Sequence, residues 1–198
     1  MYLYGASGHA KVIIDILQGA GVAVEGLFDD NPELKELSGL PVLGKYKPGE
    51  KLEQPFIISI GHNQIRQKIA QQLDVRFGTA VDKTAILSPT ARVGEGTVVM
   101  QGAILQADAV VGKHAIINTS AKVDHDCVIG DFAHISPGAV LCGNVHVGEG
   151  SWIGAGAVVV PGVRIGKWCT VGAGAVVIRD LPDKVVAVGN PSKIIKHC

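Results

Sequence analysis

The chain has 198 residues and carries 18 Lys plus Arg against 18 Asp plus Glu, so its formal charge is zero. That balance argues against a nucleic-acid binder and against a polybasic membrane anchor, both of which need a basic excess. Apolar residues reach 47% while aromatics stay at 5%, with 26 glycines. Such a chain packs small aliphatics around many tight turns, a bias of repetitive β architectures.

Met1-Tyr2-Leu3-Tyr4-Gly5 has no basic leader region, and the longest aliphatic stretches are short, such as Ala157–Val160, which stops at Pro161. No stretch approaches the roughly 18–20 apolar residues of a membrane span. Tyr2-Leu3-Tyr4 reads as a strand that enters the small-residue turn Gly5-Ala6-Ser7-Gly8-His9. Residues 10–18 follow with Val12, Ile13, Ile16 and Leu17 on one helical face. Val24–Phe28 reads as a second strand ending at Asp29-Asp30, and Phe56–Ile60 as a buried parallel strand before Gly61. Gln64–Leu73 reads as a helix with Ile65, Ile69 and Leu73 at helical spacing. Strand, glycine turn, helix and strand begin a βαβ unit, expected to span residues 1–80.

The Gly5–His9 turn can present backbone N–H groups and a helix N-terminus to a phosphate. It lacks a full G-x-G-x-x-G, which favours one nucleotide over a dinucleotide. Asp29 lies 21 residues after Gly8, where a carboxylate can take ribose or base hydrogen-bond donors. A purely structural βα turn explains the same residues. His62 and Asn63 either face this cleft or cap the helix that follows.

From Thr84 the period changes, and residues 81–198 form the second expected unit. The 96 residues to Arg179 divide into sixteen hexads with none left over. Every fourth position is aliphatic, from Leu87 and Val93 through Ile135 and Leu141 to Val171 and Val177. Every second position is Ala, Thr, Cys, Ser or Val, and glycine gathers at the first and fifth. One large side chain per hexad points inward and one small residue fits where the wall bends. Three hexads close a triangular coil, so about five coils are expected, each buried only against its neighbours. Cys127, Cys142, Cys169 and Cys198 form no CxxC and read as reduced thiols of a cytoplasmic protein.

These hexads resemble the left-handed parallel β-helix of hexapeptide-repeat acyltransferases. The segments Gly5-Ala6-Ser7-Gly8-His9-Ala10-Lys11-Val12, Val123-Asp124-His125-Asp126-Cys127-Val128-Ile129-Gly130 and Val188-Gly189-Asn190-Pro191-Ser192-Lys193 narrow the match. The chain is similar to the sugar acetyltransferases that include the sialic acid O-acetyltransferase and the UDP-4-amino-sugar N-acetyltransferase of bacillosamine synthesis. The resemblance implies a Rossmann-like α/β domain followed by the left-handed β-helix. It implies acetyl-CoA as co-substrate, no metal, a homotrimer, and a nucleotide-sugar substrate held by Ser7, Gly8, His9, Asp29, Asp30 and Gly61. The nucleotide pocket favours N-acetylation of a nucleotide-linked, UDP-type amino sugar over O-acetylation of a free sialic acid.

Acetyl transfer to an amine needs a base, a donor for the thioester oxygen, and both substrates held together. Of seven histidines, His125 stands at hexad position six with Asp126 next to it. In a straight strand such neighbours face opposite ways; at a corner they can converge, and the carboxylate would raise the imidazole's basicity. A polar corner without chemistry explains the same pair. The resemblance puts the general base at His125, where its partner is commonly Glu; here Asp126 is shorter, and Asp124 offers a second carboxylate. It further implies acetyl-CoA contacts at His134, Ala155 and Ala173, and orientation of the acceptor by Asn118. Two other classes compete. A γ-carbonic-anhydrase-like zinc enzyme would want a close His pair within one coil, which His125, His134 and His146 do not reproduce. A non-catalytic β-helix scaffold would not bind acetyl-CoA.

Overall fold

The computed structural model describes residues 1–47, 49 and 52–197. The α/β region runs β1 (Tyr2–Tyr4), α1 (Gly8–Gly19), β2 (Gly26–Phe28), a short hairpin of β3 (Glu36–Leu37) and β4 (Leu40–Pro41), β5 (Phe56–Ile58) and α2 (Asn63–Gln72). The β1, β2 and β5 strands form a parallel sheet in the order β2-β1-β5. Both strand runs are shorter than the apolar patterns suggest, because Ile60 and Gly61 already leave the ladder. Six of the seven Phe and Tyr side chains gather on this sheet, including the stacked pair Phe28 and Phe56.

Helix α1 buries Ala10, Ile13, Ile14, Ile16 and Leu17, whereas Val12 is only half-buried. These side chains share a core with Leu3 and Ile57 on one side and Ala80, Val98 and Ile116 on the other. The α/β region is therefore packed onto the first coils of the repeat rather than tethered to them.

Helix α2 departs from the sequence pattern. Ile65 is 48% exposed, and the buried side chains are Asn63 and Arg66. Ile69 and Leu73 pack against the sheet cluster as their spacing predicts, while the polar face docks on the β-helix. Arg66 is 1% exposed and spends its donors on carbonyl groups of both regions. Nε donates to His114 O at 2.8 Å, Nη2 to Phe132 O at 2.8 Å, and Nη1 to Ile60 O and Gly61 O at 2.9 and 3.1 Å. Asn63 Nδ2 donates to Gly150 O, and Gln67 Nε2 to Glu149 Oε1.

The repeat forms a three-walled parallel β-helix. Each hexad supplies a two-residue rung, and rungs pair with those 18 residues on, as Ile116 with His134 and His134 with Trp152. The first wall carries rungs at 80, 98, 116, 134, 152 and 170, the second at 86, 104, 122, 140, 158 and 176, and the third at 92, 110, 128, 146 and 164. Fourth-position side chains from Val99 to Val177 are all buried in one continuous core, with Leu87 and Val93 partly buried at its open end. The wall starts one hexad before Thr84, at Ala80–Val81. It ends beyond Arg179, where Thr170 pairs with Val186 and Ile165 with Leu181 at a spacing of 16. A last coil two residues short breaks the six-residue frame, so the sequence count of about five coils becomes about six. Val185–Val188 then pairs antiparallel with Lys193–His197 across the Gly189–Ser192 turn.

The backbone explains which residues sit at corners. The first hexad position has positive φ in every repeat from Gly96 to Gly174, including Asp108, His114, Ser120, Asp126, Phe132, Asn144 and Trp168. Fifth-position glycines at the corner between the third and first walls lie so close that a Cβ on Gly130 would come within 2.6 Å of Glu149 N. Thr97 and Ser151 replace the small second-position residue and donate to Gly112 O and Gly166 O, so both buried hydroxyls are satisfied.

Candidate active site

The nucleotide-type turn lies where the parallel strands of the α/β sheet end. Ser7 opens α1 in extended conformation without a side-chain cap, and Ser7 and Gly8 are exposed. Asp29 is partly committed to this turn: its carboxylate accepts Ala6 N at 2.7 Å and Asn31 N at 2.9 Å. Asp30 accepts the Tyr4 hydroxyl at 2.9 Å, and burial followed by that contact pushes the phenol up to about 12. His62 caps α2, accepting Ile65 N through Nδ1, so the capping alternative holds for this residue. Gly61 is tied to the β-helix through Arg66, which donates to Gly61 O and also to His114 O and Phe132 O.

His134 stands outward on the first wall yet is 8% exposed. Its Nε2 meets Asn118 Nδ2 at 3.0 Å, while Asn118 Oδ1 accepts Thr119 N, which fixes the amide as donor. Burial, then the Arg66 charge, hold His134 neutral with a pKa pushed down to about 3. His9 is likewise depressed to about 4 by burial and then Arg66. A groove of about 420 Å³ runs from His134 and Trp152 through Gly154 and Ala155 to Gly172 and Ala173. Ala155 and Ala173 thus occupy one corner groove with His134, one coil apart.

His125 and Asp126 sit at a different corner, between the second and third walls. Asp126 has φ of 60°, and this left-handed turn brings its Oδ2 to 2.7 Å from His125 Nδ1. The shorter Asp therefore reaches the imidazole. Asp124 instead holds the His125 backbone amide at 2.8 Å. The Asp126 contact first, then the Asp124 charge, raise the His125 pKa above its ordinary value. With Nδ1 bound to the carboxylate, Nε2 is the nitrogen left to take a proton. Among the described residues no contact joins His125 to His134 within one chain. His146 meets Arg164 Nη1 at 2.8 Å, and the described residues hold no cluster of three metal-type ligands.

Sequence reasoning passed over three residues here. Arg66 ties the Gly61 segment to the β-helix. Gly143 lies one coil above His125, and a Cβ there would come within 2.6 Å of His125 Nε2. Trp152 lies one coil above His134 with its ring parallel, centroids 5.7 Å apart. The last two were legible as the residues 18 positions beyond the two histidines, because coils stack in that register.

Comparison with known proteins agrees with this geometry. Residues 1–73 match the PglD N-terminal domain, and residues 144–179 match the bacterial transferase hexapeptide (six repeats). A His-to-Asn variant of perosamine N-acetyltransferase from Caulobacter crescentus, solved with CoA and GDP-perosamine, is 40% identical, with 98% of this chain and 96% of that one covered and a TM-score of 0.95. The acetyltransferase domain of PglB from Neisseria gonorrhoeae FA1090 is 36% identical over 98% of both chains, with a TM-score of 0.92. WeeI from Acinetobacter baumannii AYE is 31% identical over 98% of both chains, with a TM-score of 0.88. A curated relative, uncharacterized protein L142 of Acanthamoeba polyphaga mimivirus, is 36% identical over 97 residues, 48% of this chain and 20% of that protein; the chain spans about a fifth of its length. The chain belongs to the hexapeptide-repeat sugar acetyltransferase family, with an α/β domain ahead of a left-handed parallel β-helix.

Proposed function

We propose that the protein transfers the acetyl group of acetyl-CoA to the amine of a nucleotide-linked 4-amino sugar, with His125 as general base. The observation that carries this reading is the 2.7 Å His125–Asp126 contact at an open corner, which leaves Nε2 free. It is supported by relatives that match this chain over 98% of its length, one solved with CoA and GDP-perosamine and one, an acetyltransferase domain, with acetyl coenzyme A. In the reaction the amine nitrogen attacks the thioester carbon and its proton passes to His125 Nε2. The C–N bond forms, the C–S bond breaks, and the imidazolium, held by Asp126, returns the proton to the CoA sulfur. Neutral His134 lines the acyl-donor end, Asn118 beside it orients the acceptor, and the Ser7–His9 turn with Gly61 takes the nucleotide. The GDP-perosamine neighbours support a guanosine carrier; the uridine expectation rests on the resemblance and on the PglD-type N-terminal domain.

The active unit in this reading is a homotrimer. The outward row of the second wall is Ile86, Ile104, Val140, Val158 and Val176, interrupted only by Lys122, and Ile86 is 63% exposed. Turning that wall toward a three-fold axis brings the Ala155–Ala173 corner of each copy against the His125 corner of the next. Base and groove, separate within one chain, then share a site. The proposed compartment is the cytoplasm, where acetyl-CoA is available; among the described residues no helix is long and apolar enough to cross a membrane.

The test is CoA release with acetyl-CoA and, in parallel, GDP- and UDP-linked 4-amino sugars and free sialic acid. One nucleotide-linked amino sugar should be consumed, and His125→Ala should lose activity by about 10²–10⁴-fold. Turnover of free sialic acid alone, or a fully active His125→Ala protein, would contradict the assignment.

A further inference from the structure

We propose that the indole of Trp152 is the platform on which the acceptor's pyranose ring stacks, making Trp152 a substrate-contact residue that selects the sugar. The inference rests on the nucleotide-sugar reading above. Trp152 projects from the first wall and is 44% exposed, although it carries the largest apolar side chain on that wall. One ring face is covered by His134, parallel to within 4°. Its Nε1 donates to Ser136 Oγ at 2.7 Å, so the ring is held in one orientation. The next rung residue along the wall is Thr170, too small to cover the other face. The result is a fixed, flat apolar shelf open to ligand.

Two cavities meet on this shelf. One, of about 240 Å³, lies at the start of α2 and is lined by His62, Asn63 and Trp168. The other is the 420 Å³ groove that runs on to Ala155 and Ala173. Trp152 and Thr170 line both. His62 directly follows Gly61 of the nucleotide segment, and the two alanines mark the acyl-donor end. A hexose hung from a diphosphate near Gly61 therefore crosses the indole before its amine reaches the acetyl group. A pyranose presents an apolar C–H face to such a ring, and indole offers the largest flat apolar surface among side chains.

The chain has two tryptophans, so Trp168→Phe leaves Trp152 as the sole indole fluorophore. That protein is titrated with CoA, GDP, UDP, and GDP- and UDP-linked 4-amino sugars, and its acetylation of each sugar is measured alongside. The expected result is an emission change with the nucleotide sugar it acetylates, and none with CoA or the bare nucleoside diphosphates. In the native background, Trp152→Ala should raise KM for that sugar about tenfold at unchanged acetyl-CoA KM, with Trp152→Phe restoring most of the loss. A response to CoA alone, a silent indole in a protein that acetylates, or an effect confined to the acetyl-CoA KM overturns the inference and leaves the enzyme reading standing. Failure of the wild type to acetylate any nucleotide sugar overturns the enzyme reading, and this inference with it.

Discussion

The role proposed for His125 turns on one backbone angle. Asp126 occupies a left-handed position that costs a non-glycine residue about 1–2 kcal/mol, and in return two sequence neighbours face the same way. The raised imidazole pKa has a sign that rate measurements can read. A base works only when deprotonated, so kcat/KM should fall as pH drops through a value above the ordinary 6.5. Asp126→Asn removes the largest cause, and the acidic limb should move down toward pH 6.5. Gly143→Ala tests the packing on the other side. Its Cβ would displace the His125 ring, and a shift of about 1 Å should lower kcat by up to about 10²-fold with thermal stability little changed. The His–Asp pair was legible in the sequence because hexad positions six and one name a corner. Gly143 was legible by the same register, as the residue one coil beyond His125 and the only glycine at a sixth hexad position.

At the scale of elements, α2 shows how a periodic signal can find one docking face and miss the other: Ile69 and Leu73 pack against the sheet cluster, while Ile65 is exposed. Ile65, Ile69 and Leu73 are spaced for burial, but the helix is anchored by Arg66, whose charge meets five oxygen acceptors and no carboxylate among the described residues. Burial pushes its pKa down to about 9. Such a contact is invisible to hydropathy, since its partners are main-chain carbonyls 48 and 66 residues away. Arg66→Met leaves those acceptors buried and unpaired, and should lower unfolding free energy by about 3 kcal/mol or more in chemical denaturation. The hexads, by contrast, were readable almost rung by rung, because each repeat faces the same packing problem. They failed only where the last coil loses two residues. Buried histidines add a pH signature to the elements. His9 and His114 are depressed to about 4 and His134 to about 3, each chiefly by burial. As pH falls below about 6.5 the unfolded chain takes up protons that the folded one refuses. Melting temperature should therefore be flat above pH 6.5 and decline progressively toward pH 4. His114→Phe, which keeps the stack on Phe132, should make that decline shallower.

At the scale of the whole molecule, one chain holds the parts of a reaction without bringing them together. The proposed base is at one corner, the small-residue groove at another, and the row of partly exposed aliphatics lies between them. Charge on that row should separate the copies: Val140→Asp is expected to give a monomer by light scattering that has lost most of its activity while keeping its β-helix spectrum. The fold was legible because a six-residue period has few structural solutions. The junction of the α/β region with the first coils was not, because Ala80, Val98 and Ile116 read as ordinary repeat residues until α1 is seen lying on them.

The proposed reaction is acetyl transfer to nitrogen on a sugar still joined to its nucleotide. It is tested most directly by isolating the product made from acetyl-CoA and a nucleotide-linked 4-amino sugar and treating it with hydroxylamine, which cleaves esters and spares amides. The expected product carries one added acetyl group that resists hydroxylamine, on an intact nucleotide sugar, and is not formed by His125→Ala. A hydroxylamine-labile acetyl group, or acetylation of free sialic acid with the nucleotide sugar untouched, would contradict it.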